Sequence, residues 1–318
     1  EFASDVFRDL SLDSTSRICE IGSNDGYLLN LFKNLGCEVL GLDASEYITK
    51  VANSNGILTK QCIFDSTEAE QIIQDYGKFD VIAANNVFNH SDNPLSFAKG
   101  ASKLLTKSGF FVFEVPYWKC TVDSKKIDQI YHEHVSYYTA TSAKNVLEKC
   151  GFQIVKLQVV DYHGGSLRIC AQKINKNAIP IHCDDLSEFI IKEKYLFNNR
   201  TYRSLTESLK IKKIKFLKEV LTYKEKGYSI IAIGAAAKGN TLLNYLNLNN
   251  SIIDWVTDTS DFKRGKRTPL TNIEICGDEI VASYDKVCAL ILSWNLSESI
   301  KKKIRKINSN IEFINFYE

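Results

Sequence analysis

The sequence predicts an α/β protein of two Rossmann-like, doubly wound domains joined by a helical connector. Three observations carry that expectation. Short apolar runs alternate with helical patterns through the first half, which implies βαβ units and a parallel sheet. A second alternation of the same kind begins at Ser229. Between them, residues 184–226 are charged and helical in pattern, with Ile211, Ile214, Leu217 and Leu221 spaced near the helical period. A chain of 318 residues also exceeds what one small core usually takes. The expected division is residues 1–175, a connector over 176–226, and 227–318.

The elements follow in order. Arg17–Ile21 reads as a buried strand, followed by a glycine-rich turn and a helix over Tyr27–Leu35. Glu38–Leu42 is the next strand, ending in Asp43, with a helix near Ile48–Ser54. Asp80–Ala84 and Phe110–Val115 are further strands. Residues 116–140 read as an aromatic, histidine-rich loop. A helix near Thr141–Lys149 stops at Gly151, a residue suited to the turn past a helix end. Strands are expected at Ile154–Val160 and Leu167–Gln172. In the second half, strand Ile230–Ile233 leads through the turn Gly234–Asn240 to a helix over Thr241–Leu246. Strand Ile252–Val256 is closed by Asp258. Val287–Leu292 and Ile311–Phe316 are later strands, with helix Ser297–Ile307 between them.

Composition narrows the function. Forty basic against 38 acidic residues leave a formal charge of +2, which favours neither a nucleic acid nor a membrane as partner. No apolar run approaches the roughly 20 residues needed to cross a bilayer. The nine cysteines form no C-x-x-C pair and sit mostly in apolar runs, as reduced, buried thiols do. With no secretory signal at the start, a cytoplasmic protein is expected.

The first site motif is Glu20-Ile21-Gly22-Ser23-Asn24-Asp25-Gly26-Tyr27, between a strand and a helix. Glycine permits a sharp bend and close approach of a ligand. In a dinucleotide fold, the amides of the following helix would meet a pyrophosphate. Here Glu20 and Asp25 would repel one, but they suit a cationic amino-acid end. S-adenosylmethionine (SAM) has an ammonium, a sulfonium and no phosphate, so it is the expected cofactor. Asp43 is positioned for a ribose diol and Asp65 for the adenine amine. The full expected set is Glu20, Gly22, Asn24, Asp25, Gly26, Asp43, Asp65 and Asn85.

The second motif is Tyr131-His132-Glu133-His134-Val135-Ser136-Tyr137-Tyr138. It brings histidines near His90 if this loop meets Asn85–His90 beyond the carboxyl end of a strand, where open α/β sheets hold ligands. Histidine suits proton abstraction near neutral pH, and tyrosine hydroxyls suit a developing enolate oxygen. The residues alone do not choose between His132 and His134. Their spacing is not the helical H-E-x-x-H pattern, so no metal site is expected.

A third motif, Gly234-Ala235-Ala236-Ala237-Lys238-Gly239-Asn240-Thr241, is a small-residue turn in which Lys238 can neutralise phosphate, with Arg168 or Lys263 as possible helpers. The competing reading is a purely structural helix–sheet contact.

Together, EIGSNDGYLL (Glu20–Leu29), NNVFNH (Asn85–His90), YHEHVSYY (Tyr131–Tyr138), HGGSLR (His163–Arg168) and AAAKGNTLLNY (Ala235–Tyr245) resemble the nucleotide-sugar C-methyltransferases of deoxysugar pathways. The resemblance runs through nearly the whole chain in the same order. It implies methylation of a carbon beside the keto group of a TDP-linked 4-keto-deoxysugar. It implies that His134 is the base, with Tyr131, Glu133 and His90 in the same active site. Expected substrate contacts are Asn86, His163, Gly165, Ser166, Arg168 and Lys238. Two departures stand out. The family's N-terminal zinc-binding module has no counterpart before Glu20, and Thr268-Pro269-Leu270-Thr271 stands where a Pro-Gly turn is usual. The competing functions are O- or N-methylation, a binding protein without catalysis, and a nicotinamide oxidoreductase using Gly234–Gly239. The residues do not specify the oligomeric state.

Overall fold

A computed structural model describes the chain except His163, residues 175–182 and Asp184. It divides into two compact units: Glu1–Cys120 with His134–Phe197, and Thr121–Glu133 with Asn198–Glu318. The elements of the first stretch are α1 (Phe2–Asp9), β1 (Arg17–Ile21), α2 (Tyr27–Asn34), β2 (Glu38–Asp43), α3 (Glu46–Ser54), β3 (Thr59–Gln61), α4 (Glu68–Tyr76), β4 (Phe79–Asn85), α5 (Pro94–Leu104) and β5 (Leu105–Pro116). Then come α6 (Trp118–Ser124), α7 (Ala140–Lys149), β6 (Phe152–Val160), β7 (Ser166–Lys173) and α8 (Leu186–Glu193).

The first sheet runs β3-β2-β1-β4-β5-β7-β6. Strands β3 to β5 pair in parallel, and β7 runs antiparallel to both its neighbours. Successive strand side chains point to opposite faces. Accordingly, Cys19, Ile21, Ile82, Ala84, Phe111 and Phe113 pack with α4, α5 and α7, while Ile18, Val81 and Val112 pack with α1 and α2. Both faces are covered, so the strands read as continuous apolar runs, as buried parallel strands do. Helices α1, α4 and α5 are not among the elements expected from sequence, although Asn93 caps the start of α5 and Pro94 opens it.

The second unit contains α9 (Asn199–Glu225), β8 (Ser229–Ile233), α10 (Ala237–Leu246), β9 (Trp255–Thr257), β10 (Ile275–Cys276), β11 (Val287–Ile291), α11 (Ser297–Ile304) and β12 (Glu312–Ile314). Its sheet, β10-β9-β8-β11-β12, is parallel throughout. Ile230, Ala232 and Val256 pack with α10, and Ile231, Ile233 and Ala289 with Ile304 of α11.

Three expectations need correction. The compact units do not divide at 175 or 226, because α9 places Phe216 and Val220 in the core of the second unit. The stripe expected to bury α9 is largely on the wrong face: Ile211 is 69% and Ile214 57% exposed, whereas Leu209, Phe216 and Val220 are buried. In a helix this charged, several apolar stripes fit the period, and the sheet chooses among them. Helix α10 starts at Ala237, so Gly239 and Asn240 lie within it rather than in the turn. Among the described residues, no helix is long and apolar enough to cross a membrane.

Glu193 ties α8 to the start of α7. It is fully buried and accepts from the Tyr117 hydroxyl at 2.9 Å, the amides of Ala140 (2.6 Å) and Thr141 (2.9 Å), and the Thr141 hydroxyl (2.6 Å). A carboxylate at a helix N-terminus meets both unpaired amides and the favourable end of the helix dipole. Glu193→Ala should cost about 2–4 kcal/mol by leaving several buried donors unmade. Urea unfolding should show a lower midpoint at unchanged slope, and Glu193→Gln should lose less. A midpoint equal to wild type would remove this role.

Candidate active site

The turn after β1 is built from backbone that few side chains tolerate. Gly22 has φ of +71°, and a Cβ there would lie 2.3 Å from Cγ2 of Val87. Its amide donates to the Leu42 carbonyl at 2.7 Å, which stitches the turn to the end of β2. Asn24 also has positive φ (+50°), and its amide donates to Oδ2 of Asp43 at 3.0 Å. The other Asp43 oxygen accepts from Ser45 at 2.9 Å. Gly26, at φ +83°, is the N-cap of α2.

Glu20 lies inside β1, buried, and its Oε2 has no hydrogen-bond partner. Burial first, then the charges of Asp25 and Asp43, push its carboxyl pKa well above the ordinary range. An orphaned carboxylate oxygen in an acidic neighbourhood fits a cationic ligand bringing its own donors. The residues present therefore fit SAM.

A cavity of about 460 Å³ opens beyond the carboxyl ends of β1 and β2, among residues including Gly22, Asp43, Phe64, Asp65, Val87 and His90. The chain proceeds from β1 outward to β2 on one side and returns to β4 on the other, so the cavity lies at the switch point of the sheet. Four of the expected residues (Gly22, Asp43, Asp65 and His90) line it. Two acids are partly committed elsewhere. Oδ1 of Asp65 accepts from the amides of Thr67 and Glu68, both at 2.8 Å, at the start of α4, and Oδ1 of Asp25 accepts from Tyr27 at 3.2 Å. The apolar wall of Ile63, Phe64 and Phe97 was not anticipated as part of the site, although the Cys62-Ile63-Phe64 run was its signal.

Two of the histidines meet. His90 ends a short 3-10 turn, Phe88–His90, after β4, and its ring centroid lies 5.0 Å from that of buried His134. Phe88 stacks on Tyr138 at 5.0 Å inside a cluster with Phe97, Phe111 and Phe113, and the Ser136 amide donates to the Asn89 carbonyl at 3.0 Å. The aromatic stack and this hydrogen bond fix the two loops on each other and so fix the imidazoles. Half-buried Asn85 and buried Asn89 bring amide atoms without partners close in sequence to this pair: Oδ1 of Asn85, and both side-chain polar atoms of Asn89. Asn89 is not among the expected residues, because a third asparagine in an Asn-rich loop carries no distinguishing signal.

The expected substrate contacts fare unevenly. Asn86 adopts φ of +55°, and its amide donates to the Glu114 carbonyl at 2.7 Å. Gly165, at φ +111°, allows Cys120 to approach: a Cβ would lie 2.7 Å from its sulfur. Arg168 is a correction. Its guanidinium is held by Glu114 at 2.6 Å and Asp5 at 3.2 Å and lies over the Phe2 ring, on the α1 face of the sheet, so it is not offered to a diphosphate. Ser166 is fully buried and donates to the Tyr162 carbonyl at 3.1 Å, which makes it a strand-start bond rather than a substrate contact. His163 lies outside the described residues.

Tyr131, Glu133 and Lys238 belong to the second unit. Tyr131 and His132 line a cavity there with Ala235, Ala237 and Asn240. His132 is largely exposed, 4.0 Å from Glu133. Lys238, in the first turn of α10, has its Nζ buried and without a hydrogen-bond partner; burial lowers its pKa, and Asp128 is the charge that opposes this. Asp128, which the sequence did not single out, is fully buried and accepts from the Trp294 indole at 2.6 Å. Among the described residues, no three His, Cys, Asp or Glu side chains gather as metal ligands.

Glu20 gives this geometry a pH signature. A carboxyl whose folded pKa is raised favours the fold while neutral, so its contribution is complete below the ordinary value of 4.5 and is lost as pH rises through the raised folded value. Ligand-free protein should therefore lose stability relative to Glu20→Gln as pH rises from 4.5, and the variant should be the more stable at pH 8. Urea midpoints measured across that range test this. Parallel curves would mean that Glu20 is not desolvated.

Two family models match the chain: a methyltransferase domain over residues 1–157 and a C-methyltransferase C-terminal domain over residues 161–315. The C-methyltransferase NovU of Streptomyces niveus is 28% identical over 293 residues, 92% of this chain and 69% of that protein. The ubiquinone biosynthesis O-methyltransferase of Pelagibacter ubique is 29% identical over 110 residues, which is 33% of this chain and 46% of the relative. Among solved structures, magnesium protoporphyrin IX methyltransferase from Synechocystis with bound S-adenosylhomocysteine (SAH) matches 54% of this chain and 80% of its own length, with a TM-score of 0.44 and 16% identity. The two domain matches in succession, and a relative aligned through both, make this chain a SAM-dependent methyltransferase, similar to the C-methyltransferases.

Proposed function

We propose that the chain methylates a carbon beside the keto group of a nucleotide-linked 4-keto-deoxysugar, with His134 as the base. The observation that carries this reading is the buried His134 ring held against His90, which itself lines the cavity with Gly22 and Asp43. Removing a proton from carbon needs an acceptor held close to it and shielded from bulk water, and the His134 imidazole is a buried acceptor of that kind.

When bound, SAM supplies an electrophilic methyl group. The residues of the chain do the rest. Glu20 and the turn at Gly22–Gly26 receive the cationic amino-acid end, and Asp43 the ribose. His134 takes the carbon-bound proton, leaving the electron pair in the enolate. SAM held by those residues would supply its methyl group to the enolate carbon, and the proton stays on the His134 imidazole until solvent removes it. His90 orients His134 from the side, so its role is positioning.

The test uses the full chain with SAM and a panel of TDP-linked 4-ketosugars. Mass spectrometry should find a product one methylene heavier that resists ether cleavage. In deuterated water, the ketosugar should exchange its carbon-bound proton with wild-type protein. His134→Ala should lose exchange and turnover by about 100-fold or more while binding SAH within about twofold of wild type. Exchange that persists in the variant would remove His134 as the base, and an acid-labile ether product would replace C-methylation with O-methylation.

A further inference from the structure

Helix α9 has two apolar faces. One is used: Leu209, Phe216 and Val220 are buried, the latter two in the core of the second unit. The other carries Ile211, Ile214 and Leu221, all between 46% and 69% exposed. At about 100° per residue, this second stripe lies roughly 150° round the helix from the first. A helix packed on a core needs one apolar stripe, and the fold leaves this one bare. Single exposed apolar residues are ordinary, but three on one stripe form a patch.

The stripe belongs to a longer row. Alternating steps of four and three, the a/d spacing of a coiled coil, extend it in both directions. Arg200, Ser204 and Glu207 precede Ile211, and Lys218 and Glu225 stand on either side of Leu221. All of them are exposed. From Arg200 to Glu225 the row runs about 38 Å along the helix. Among the described residues, Arg200, Lys218 and Glu225 have no ion-pair partner, and Glu207 holds Lys210 at 2.8 Å on the exposed surface.

The charges of the row are self-complementary in one arrangement. Laid antiparallel on itself about a two-fold axis midway between Ile211 and Ile214, the row sets Ile211 of one copy on Ile214 of the other. Glu207 then meets Lys218, Arg200 meets Glu225 and Ser204 meets Leu221, each twice by symmetry. A parallel pair would instead set Glu207 on Glu207 and Lys218 on Lys218. Sliding the antiparallel pair by one heptad would set Arg200 on Lys218 or Glu207 on Glu225. Beside the row, Lys210 falls near Leu217 and Lys215 near Ser208, while Arg203 falls near Lys224, whose charge Asp254 meets at 3.0 Å.

We propose that α9 pairs antiparallel with α9 of a second copy of this chain, through this face and in this register. Ile211, Ile214 and Leu221 of each copy supply the apolar contact, and the Glu207–Lys218 and Arg200–Glu225 pairs flank it. Exposed ion pairs stabilise weakly, so they set the register while the apolar side chains supply most of the affinity. A single helix face places the dimer among weak, reversible interfaces. No residue of α9 lines the cavity at Gly22 and Asp43, so dimerisation stands apart from the methylation reading.

Analytical ultracentrifugation of the full chain tests this. Weight-average mass should rise from that of one chain toward twice that value between about 10 and 300 μM, the range of a weak interface. Ile214→Glu, which sets a charge on Ile211 of the other copy, should weaken association at least about tenfold. Lys218→Glu should weaken it by repulsion from Glu207, and adding Glu207→Lys to the same chain should restore it to within about threefold of wild type. In a parallel pair, neither change would alter the meeting of like charges. All three positions are exposed, so the fold is not at stake, and thermal melting should match wild type. Equal association in Ile214→Glu, or no restoration by the charge swap, overturns the proposal. So does a single-chain mass at every concentration, which leaves the face to a partner of another kind.

Discussion

Both units depend on one local lock between neighbouring parallel strands. A glycine at the end of the central strand bends into positive φ and donates its amide to the carbonyl at the end of the next strand, and the aspartate that follows holds the remainder of the turn. Gly22 with Leu42 and Asp43 makes this lock in one unit, and Gly234 with Thr257 and Asp258 in the other. The bonds lie where the sheet switches direction, so the turn that closes the backbone also opens the cavity. A side chain at Gly22 would strike Val87, and one at Gly234 would lie 2.2 Å from Oγ of Ser293. The lock therefore specifies glycine twice, for φ and for space.

Within this frame, the sign of the charge near each turn sets its chemistry. The first unit buries Glu20 with an unpaired oxygen and adds Asp25 and Asp43 within electrostatic reach. That arrangement is unfavourable until a cation enters, so binding relieves a cost already present in the fold. In the second unit, the same backbone carries Ala232 in the place of Glu20, and its lysines are paired with Asp258 and Asp278. Arg168 shows the opposite arrangement, a cation fully met by Glu114 and Asp5 and so removed from recognition.

Apolar packing positions the histidine pair. Phe88 and Tyr138 stack within a phenylalanine cluster, and each lies a few residues from its imidazole: His90 two after Phe88, and His134 four before Tyr138. Burial of these rings is nondirectional in origin, yet their stacking and the Ser136–Asn89 bond convert it into a defined spacing between two bases. A polar loop anchored by aromatic side chains can hold a titratable pair without a metal or a disulfide.

Local pattern alone determined the strand–turn–helix order, the two switch-point turns and the strand-end aspartates, because glycine freedom, strand alternation and charge near a turn act over a few residues. The meeting of His90 and His134 was legible only as a condition, since 44 residues separate them in the chain (134 − 90). Tertiary structure decided the rest. It turned α9 so that Phe216 and Val220 were buried rather than Ile211 and Ile214, joined Thr121–Glu133 to the second unit, and spent Arg168 and Ser166 on internal bonds. Each of those outcomes depends on which surfaces compete for a side chain once distant elements pack, and a sequence lists the competitors without their distances.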